Sequence, residues 1–260
     1  MSHPPQRLPK AVLGAVLGAG LLAAPLTAAP AYASPDGQGL VINEAYLKGG
    51  SANAPFTHKF VELYNPGTKP VSLSGLYLQY RSATSTAVPA ASGSAALTGS
   101  VAPQGYFLIQ LFNNGTVGAA LSGVDQQATG VNPSGSSGTL AITRTADALA
   151  GVSGDVAGNA NIVDLLGYGT SNTFEGAVLP TTGGNSQPDS LQRTGFADSD
   201  VNGADFKQLA AITPQGSGQG PGTDPGGETP PVEAGQKSIA EIQGTGAKSP
   251  LEGQNVTTRG

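Results

Sequence analysis

The sequence predicts an all-β protein built around an antiparallel β-sandwich, and three observations carry this prediction. Short stretches alternate apolar and polar residues with a period of two, as in residues 59–64, where Val61 and Leu63 share one face. Strong turn signals such as Asn65-Pro66-Gly67 separate these stretches. Beyond the N-terminal apolar run, no stretch shows the spacing of an amphipathic helix, so many short strands joined by turns are expected.

The same alternation continues along the chain. Residues 76–81 place Leu76, Leu78 and Tyr80 on one face, and residues 106–111 (YFLIQL) form a strand that is apolar on both faces. Further strands are predicted around residues 140–142 and 162–166. Three long loops rich in Ser, Thr, Gly and Ala separate them, at residues 82–96, 113–137 and 145–160. Loops of this length are either functional or mobile decoration.

Composition excludes several classes of function. The 260 residues include 39 Gly and 20 Pro but no Cys and only two His. Without cysteine there is no disulfide framework, no thiolate zinc site and no cysteine nucleophile. Because His3 lies in the predicted export signal, His58 alone remains, which excludes a multi-histidine metal centre. No G-x-S-x-G motif accompanies it, so a serine hydrolase triad is not expected.

Residues 1–33 have the features of a signal peptide. Arg7 and Lys10 form a basic start, residues 11–29 are an uncharged apolar run, and residues 31–33 (AYA) supply the small-x-small cleavage pattern. Cleavage is expected between Ala33 and Ser34, and no stable membrane span should remain afterwards. A retained anchor is the alternative, because the run reaches the length of a membrane span.

Removal of this segment makes the chain more acidic. It takes away two basic and no acidic residues, so the formal net charge changes from −5 to −7. The mature protein is therefore expected to be secreted and extracellular. Its overall field does not steer it onto nucleic acid, although a local basic patch could.

The mature chain divides into four parts. A short lead (34–38) precedes a β-sandwich domain (39–213), and a Gly/Pro-rich stretch (214–235) has nothing to bury and is expected to be a disordered linker. Residues 236–260 resume an apolar pattern but are too few to bury a core of their own. They are interpreted as the incomplete start of a further domain.

Several segments, in order, resemble the bacterial lamin tail domain (LTD). They begin with residues 41–45 (VINEA), 60–66 (FVELYNP) and 71–76 (VSLSGL), and continue with residues 101–109 (VAPQGYFLI). Residues 138–142, 163–169, 190–193 and 198–206 follow the same order. The resemblance covers about residues 39–213 and implies an immunoglobulin-like antiparallel β-sandwich of lamin-tail type, here with long loops.

The C-terminal piece carries a second resemblance. Residues 238–246 (SIAEIQGTG), 249–251 and 256–260 are similar to the beginning of an OB-like domain. That domain occurs in secreted bacterial nucleases, ahead of a catalytic domain of the endonuclease/exonuclease/phosphatase type. This resemblance implies the N-terminal part of a lamin-tail-containing extracellular nuclease, but no catalytic residue can be carried over to these 260 residues.

One loop has the pattern of a calcium ligand set. Asp198, Asp200 and Asn202 alternate before Gly203, as in the first half of a calcium loop, and Asp205 could supply the remaining acid only with a different loop geometry. The twelfth position, where a bidentate acid is expected, is Leu209. The alternative is a turn in which these side chains accept hydrogen bonds from local backbone amides.

Two further groups of charged residues are candidate functional sites. Glu44 and Glu62 lie on neighbouring candidate strands and could form a carboxylate pair for acid–base chemistry, although solvent-facing or turn-capping positions are the simpler interpretation. Four basic residues could line one edge of the sandwich as a contact for nucleic acid or a partner: Lys48, Lys59, Lys69 and Arg81. Scattered surface charges without function are the alternative.

Together these observations predict a secreted, non-catalytic LTD module that serves an attached catalytic region as a binding or targeting accessory. Its expected partner is the downstream domain of the same polypeptide, with DNA or cell-envelope material as candidate ligands. Calcium is the candidate cofactor. Two alternatives stay open: the front end of a secreted nuclease, and a stand-alone cell-surface adhesion or scaffold protein. The predicted fold is compatible with all three, because one fold can serve many functions.

Overall fold

The computed structural model describes residues 39–90 and 93–218, together with Met1. The predicted signal peptide with its cleavage site, the short lead, residues 219–235 of the linker and the OB-like start at 236–260 lie outside the described residues. Among these described residues, no helix has both the length and the hydropathy of a membrane span.

The described chain folds almost entirely into strands, with one short helix. In chain order the elements are β1 Val41–Tyr46, β2 Phe60–Tyr64, β3 Val71–Ser72, β4 Tyr77–Arg81, β5 Ser94–Ala96, β6 Ser100–Val101, β7 Tyr106–Gln110, β8 Gln126–Gln127, β9 Gly138–Thr143, β10 Gly154–Asp155, β11 Ile162–Tyr168, β12 Thr173–Phe174, β13 Ser190–Arg193, α1 Asn202–Asp205 and β14 Phe206–Leu209.

Two main sheets form the layers of a sandwich. The larger has six strands in the order β14-β13-β1-β2-β7-β8, and the smaller has four in the order β11-β9-β4-β5. Their pairs are antiparallel except for the short β7–β8 pair. Two minor two-stranded sheets, β3-β6 and β10-β12, flank them.

The main core lies between the two sheets. It combines Ile42, Leu63 and Ile109 of the six-stranded sheet with Leu78 and Ile142 of the four-stranded sheet. These are the apolar positions of the alternating segments, which point inward because successive side chains of a strand face opposite sides. The all-β sandwich predicted from the sequence is therefore confirmed.

The outer faces of both sheets are also covered. On the six-stranded sheet, Tyr46, Phe60 and Leu108 form a second apolar cluster with side chains that include Leu121 and Ile212. On the four-stranded sheet, a third cluster adds loop residues around 149–156; its members are Ala141, Leu149, Val156, Ile162 and Leu165. Parts of two of the long loops thus serve as covers, which explains why the central strands are buried on both faces.

A bulge in β1 sets the positions of the polar side chains. The β1–β2 register shifts between Ile42 and Glu44, so Asn43 is the extra residue. Ile42 before the bulge and Ala45 after it both reach the main core, although they are three residues apart. Glu44 consequently faces the opposite side of the sheet, next to Glu62 of β2.

The turn after β11 requires glycine at position 169. Gly169 has φ +65°, and a Cβ there would lie 2.2 Å from the backbone oxygen of Ser136. We expect Gly169→Ala to lower the free energy of unfolding by about 2 kcal/mol or more, measured by urea denaturation. Gly195→Ala is the matched control, because Gly195 has φ +72° but an added Cβ meets nothing within 4 Å. Equal losses in the two variants would contradict the role of the close approach.

Candidate functional site

A buried arginine joins the two sheets of the sandwich. Arg193 at the end of β13 is 1% exposed, and its Nη2 donates to both carboxylate oxygens of Asp164 on β11, at 2.7 and 2.8 Å. Arg193 Nε also donates to the carbonyl of Ile42 at 3.0 Å, and the Ile42 N–H donates to Asp164 Oδ2 at 2.5 Å. The ion pair therefore supplies hydrogen-bond partners for both the backbone N–H and the carbonyl of Ile42, beside the β1 bulge.

Further carboxylates surround the same guanidinium. Arg193 Nη1 lies 3.5 Å from Asp198 Oδ1 and 3.4 Å from Asp205 Oδ2, and the guanidinium carbon is 4.4 Å from the centre of the Phe206 ring. Although burial lowers it, the pKa of Arg193 is raised overall by these carboxylates. The arginine is thus held in its charged form.

Glu175 completes this group, which we call the Arg193 cluster: Arg193, Asp164, Glu175, Asp198 and Asp205. Burial raises the pKa of Glu175 to about 9, and the nearby acidic side chains, Asp164 first, add to the rise. Burial thus favours the neutral form of Glu175, which reduces the excess of negative charge in the cluster.

Asn202 is a structural bridge in the predicted calcium loop. It is fully buried, its Oδ1 accepts from the N–H groups of Gly167 at 2.8 Å and Glu175 at 3.1 Å, and its Nδ2 donates to the Leu165 carbonyl at 2.7 Å. A second, longer bond of 3.3 Å runs from Nδ2 to Glu175 Oε2. Its amide is fully used in holding α1 against β11.

The acidic side chains of that loop accept local backbone bonds. Asp198 Oδ1 accepts from the Asp200 N–H at 3.2 Å, and Asp205 Oδ2 accepts from the Ser199 N–H at 3.0 Å. Asp200 itself has φ +56° and is partly exposed. These are the bonds of the turn alternative, and calcium binding by this loop stays a prediction.

The carboxylates that could share a metal ion are a different set. Oxygen atoms of Asp164, Glu175 and Asp198 all lie within 4.8 Å of one another, and all three residues are buried. Only Asp198 belongs to the set proposed from the sequence. Asp164 and Glu175 were missed because they lie more than twenty residues upstream, on and beyond β11, and no short motif connects them to the loop.

Most of the basic residues proposed as a contact patch are buried. Lys48, Lys59 and Arg81 are at most 3% exposed, whereas Lys69 is exposed. Lys48 Nζ forms an ion pair with Asp189 at 2.6 Å, and Lys59 and Arg81 donate to backbone carbonyls of neighbouring loops. Burial lowers the pKa of Lys59 to about 8. Contact of this domain with nucleic acid stays a prediction, and among these four only Lys69 offers an exposed charge for it.

An open groove lies at one end of the sandwich. It has a volume of about 560 Å³ and is lined by Tyr80, the loop at 82–90, Phe112 and Asn132, among others. Two of its lining residues are large, exposed apolar side chains: Val88 is 50% exposed and Phe112 41%. Of the twelve described lining residues Arg81 alone is charged, and its guanidinium is already bonded to loop carbonyls and to a threonine hydroxyl.

The two packed sheets define the class of protein as an immunoglobulin-like β-sandwich. The family model of the Lamin Tail Domain matches residues 33–170. The chain therefore belongs to the lamin tail domain family, which confirms the resemblance found in the sequence. Domains of this type are non-catalytic.

Among solved structures, the chain is similar to the crystal structure of a DUF4876 family protein from Bacteroides thetaiotaomicron. The TM-score is 0.41 and the sequence identity 14%, over 67% of this chain and 72% of that one. No curated protein matches this chain significantly.

Replacement of Arg193 is expected to lower the stability of the domain strongly. Arg193→Met leaves the buried Asp164 carboxylate unpaired, so we expect a loss of about 3–5 kcal/mol in unfolding free energy by urea denaturation of residues 34–260. Because an unpaired buried carboxylate is more easily accommodated when protonated, the loss should shrink at acidic pH. The double variant with Asp164→Leu should recover part of the stability. A double variant that loses the sum of the two single losses would contradict this role of the pair.

The calcium prediction has a direct test. If Asp198, Asp200 and Asn202 hold calcium, a chelator should lower the melting temperature of residues 34–260, and added Ca²⁺ should restore it, since a ligand that binds only the folded state stabilises it. Asp200→Gly, which removes the side-chain oxygen and tolerates the φ of +56° at this position, should remove the response. An identical melting temperature with and without Ca²⁺ would assign the loop to the turn alternative.

Proposed function

We propose that this protein is a secreted, non-catalytic binding module that targets an attached catalytic region to cell-envelope material. The observation that carries the proposal is the open groove beside Phe112. A concave site lined by aromatic, aliphatic and fixed polar groups is the usual form of a ligand site. Exposed large apolar side chains gathered at one place on a small domain commonly mark such a surface.

The chemistry of the groove favours an uncharged, hydroxyl-rich ligand. Phe112 and Tyr80 supply ring surfaces, while Ser82, Ser85 and Asn132 supply hydroxyl and amide groups. The Asn132 Oδ1 accepts from Lys59 Nζ at 2.7 Å, so its amide is held in place. No free cationic side chain lines the described groove, and the chain as a whole is acidic. These features support polysaccharide of the cell envelope over DNA as the ligand.

A non-catalytic role is supported by how the acidic groups are used. Each buried carboxylate of the Arg193 cluster accepts backbone, asparagine or guanidinium hydrogen bonds, and the groove contains no acidic side chain among its described lining residues. General acid–base chemistry needs such a group within reach of the substrate. The predicted association with a nuclease rests on residues 236–260, outside the described part of the chain.

Binding can be measured by co-sedimentation with insoluble cell-wall polysaccharide. We expect wild-type residues 34–260 to sediment with the polysaccharide and Phe112→Ser to bind at least about tenfold more weakly, because an anchoring ring in a groove carries a large share of the binding energy. Val117→Ser is the matched control: Val117 is 46% exposed, close to the exposure of Phe112, but does not line the groove.

The same samples should neither retain nor cleave plasmid or single-stranded DNA with Mg²⁺ and Ca²⁺ present. DNA retention without polysaccharide binding would identify DNA, and not polysaccharide, as the ligand. DNA cleavage would contradict the non-catalytic assignment. Equal binding by the Phe112 and Val117 variants would show that the groove is not the site.

A further inference from the structure

The C-terminal part of the described chain is docked across the outer face of the six-stranded sheet. Residues 211–217, which we call the strap, include the first residues of the stretch assigned to the linker from sequence. The side chain of Ile212 packs with Tyr46, Phe60 and Leu108. The carbonyl of Ala211 accepts from Gln192 Nε2 at 2.6 Å. The strap is thus part of the folded domain.

Side-chain carboxylates hold the strap through alternate backbone N–H groups. The Thr213 N–H donates to Glu44 at 3.2 and 3.3 Å, and the Thr213 hydroxyl donates to the same carboxylate at 3.1 Å. The Gln215 N–H donates to Glu62 Oε2 at 2.5 Å.

The third contact of the series repeats the pattern two residues further on. The Ser217 N–H donates to Asp125 Oδ2 at 2.9 Å, and this oxygen also accepts from the Leu108 N–H at 2.8 Å. Successive carboxylates on β1, on β2 and beside β7 therefore take every second N–H of the strap. An extended segment presents alternate N–H groups to one side, which explains the spacing of two residues.

Two of these carboxylates face each other without a cation. Glu44 and Glu62 are directly opposite in the β1–β2 register, and both are 0% exposed. No ion pair found among the described residues includes either one. Like charges directly opposite on neighbouring strands repel, and a desolvated pair of carboxylates cannot both ionise at low cost.

We propose that residues 211–217 form a proton-dependent strap, docked while at least one of Glu44 and Glu62 is protonated and loosened when both are ionised. This conformational switch goes beyond the proposed ligand site and does not depend on it. Its consequence is that the attachment of the following polypeptide to the sandwich changes from fixed to free as the pH rises.

Electrostatics supports the direction of this switch. Burial raises the pKa of Glu62 to about 8; it outweighs the hydrogen bonds from Asn43 and Gln215, which lower this pKa, and the Glu44 charge adds to the rise. Burial likewise raises the pKa of Glu44 against the hydrogen bonds from Ser190, Thr213 and Gln192, which lower it.

In the described part of the chain, the titratable groups that contact the strap are Glu44, Glu62, Asp125 and Tyr46, and the strap itself carries no charged side chain. Burial raises the pKa of Tyr46 to about 12, so this side chain is neutral over the range concerned. No basic group among these contacts therefore offsets the repulsion.

Proton linkage sets the size of the effect. In the docked state Glu62 keeps its proton up to about pH 8, whereas hydration of its carboxyl on release of the strap would lower the pKa towards the ordinary value of 4.5. Between these two values the released state binds fewer protons, so docking weakens as the pH rises, by at most about tenfold per pH unit. Above about pH 8 Glu62 is ionised in both the docked and the released state, so docking no longer depends on pH.

Amide hydrogen exchange of residues 34–260, resolved by residue with NMR and corrected for the intrinsic pH dependence, tests the proposal. We expect the protection of the Thr213, Gln215 and Ser217 amides to be at least about tenfold lower at pH 8 than at pH 5.5. Glu62→Gln keeps a neutral acceptor in place of the protonated acid, so it should hold its protection at pH 8.

The amides of Ala45 and Val61, in the paired strands beneath the strap, report whether the sheet itself stays folded. Their protection should be unchanged in wild type and in Glu62→Gln across the same range. Asp147→Asn, which neutralises an exposed carboxylate remote in sequence, is the matched control and should keep the wild-type pH profile. Any one of three results would overturn the proposal. The protection of the strap amides could stay constant with pH, the Glu62→Gln variant could show the wild-type pH profile, or the Ala45 and Val61 amides could lose protection in parallel with the strap.

Discussion

The architecture of this domain depends on the buried ion pair between Arg193 and Asp164. It connects β13 of one sheet to β11 of the other, and it supplies the hydrogen-bond partners of Ile42 where the β1 bulge interrupts the ladder. A buried ion pair of this kind adds little net stability compared with apolar packing, because both groups must be desolvated. Its effect is to select one relative position of the two sheets, since any other would leave a buried charge unpaired.

The domain repeatedly uses carboxylates where backbone N–H groups lack a strand partner. Asp164 accepts from the Ile42 N–H, Asp205 from that of Ser199, and Asp125 from those of Leu108 and the strap. Glu44 and Glu62 accept from N–H groups of the strap. Loops and an irregular segment can therefore cover a sheet without unsatisfied donors beneath them. The same use of acids places several of them in apolar surroundings, which makes their protonation sensitive to burial.

The alternating pattern allowed much of the fold to be predicted, but it led to a wrong expectation for the polar faces. Val61, Leu63 and Ile142 lie in the main core, as their spacing indicates, and β2, β7, β9 and β11 lie where strands were predicted. Glu62 and Arg81 were expected on solvent faces, yet both are buried, because loop residues and the strap cover those faces. A period-two pattern identifies which residues share a face, but it does not tell whether another segment covers that face.

The fold class and the family could both be assigned before any tertiary contact was known. Both depend on local order: alternating residues, turn signals, and short segments that follow one another along the chain, and each of these can be identified without knowing distant contacts. Only the tertiary structure brought Asp164 and Glu175 next to Asp198, opened the groove between Val88 and Phe112, and placed the strap over Glu44 and Glu62. These arrangements join residues separated by tens to more than a hundred positions, and their energetics come from desolvation, which arises only after the chain has folded.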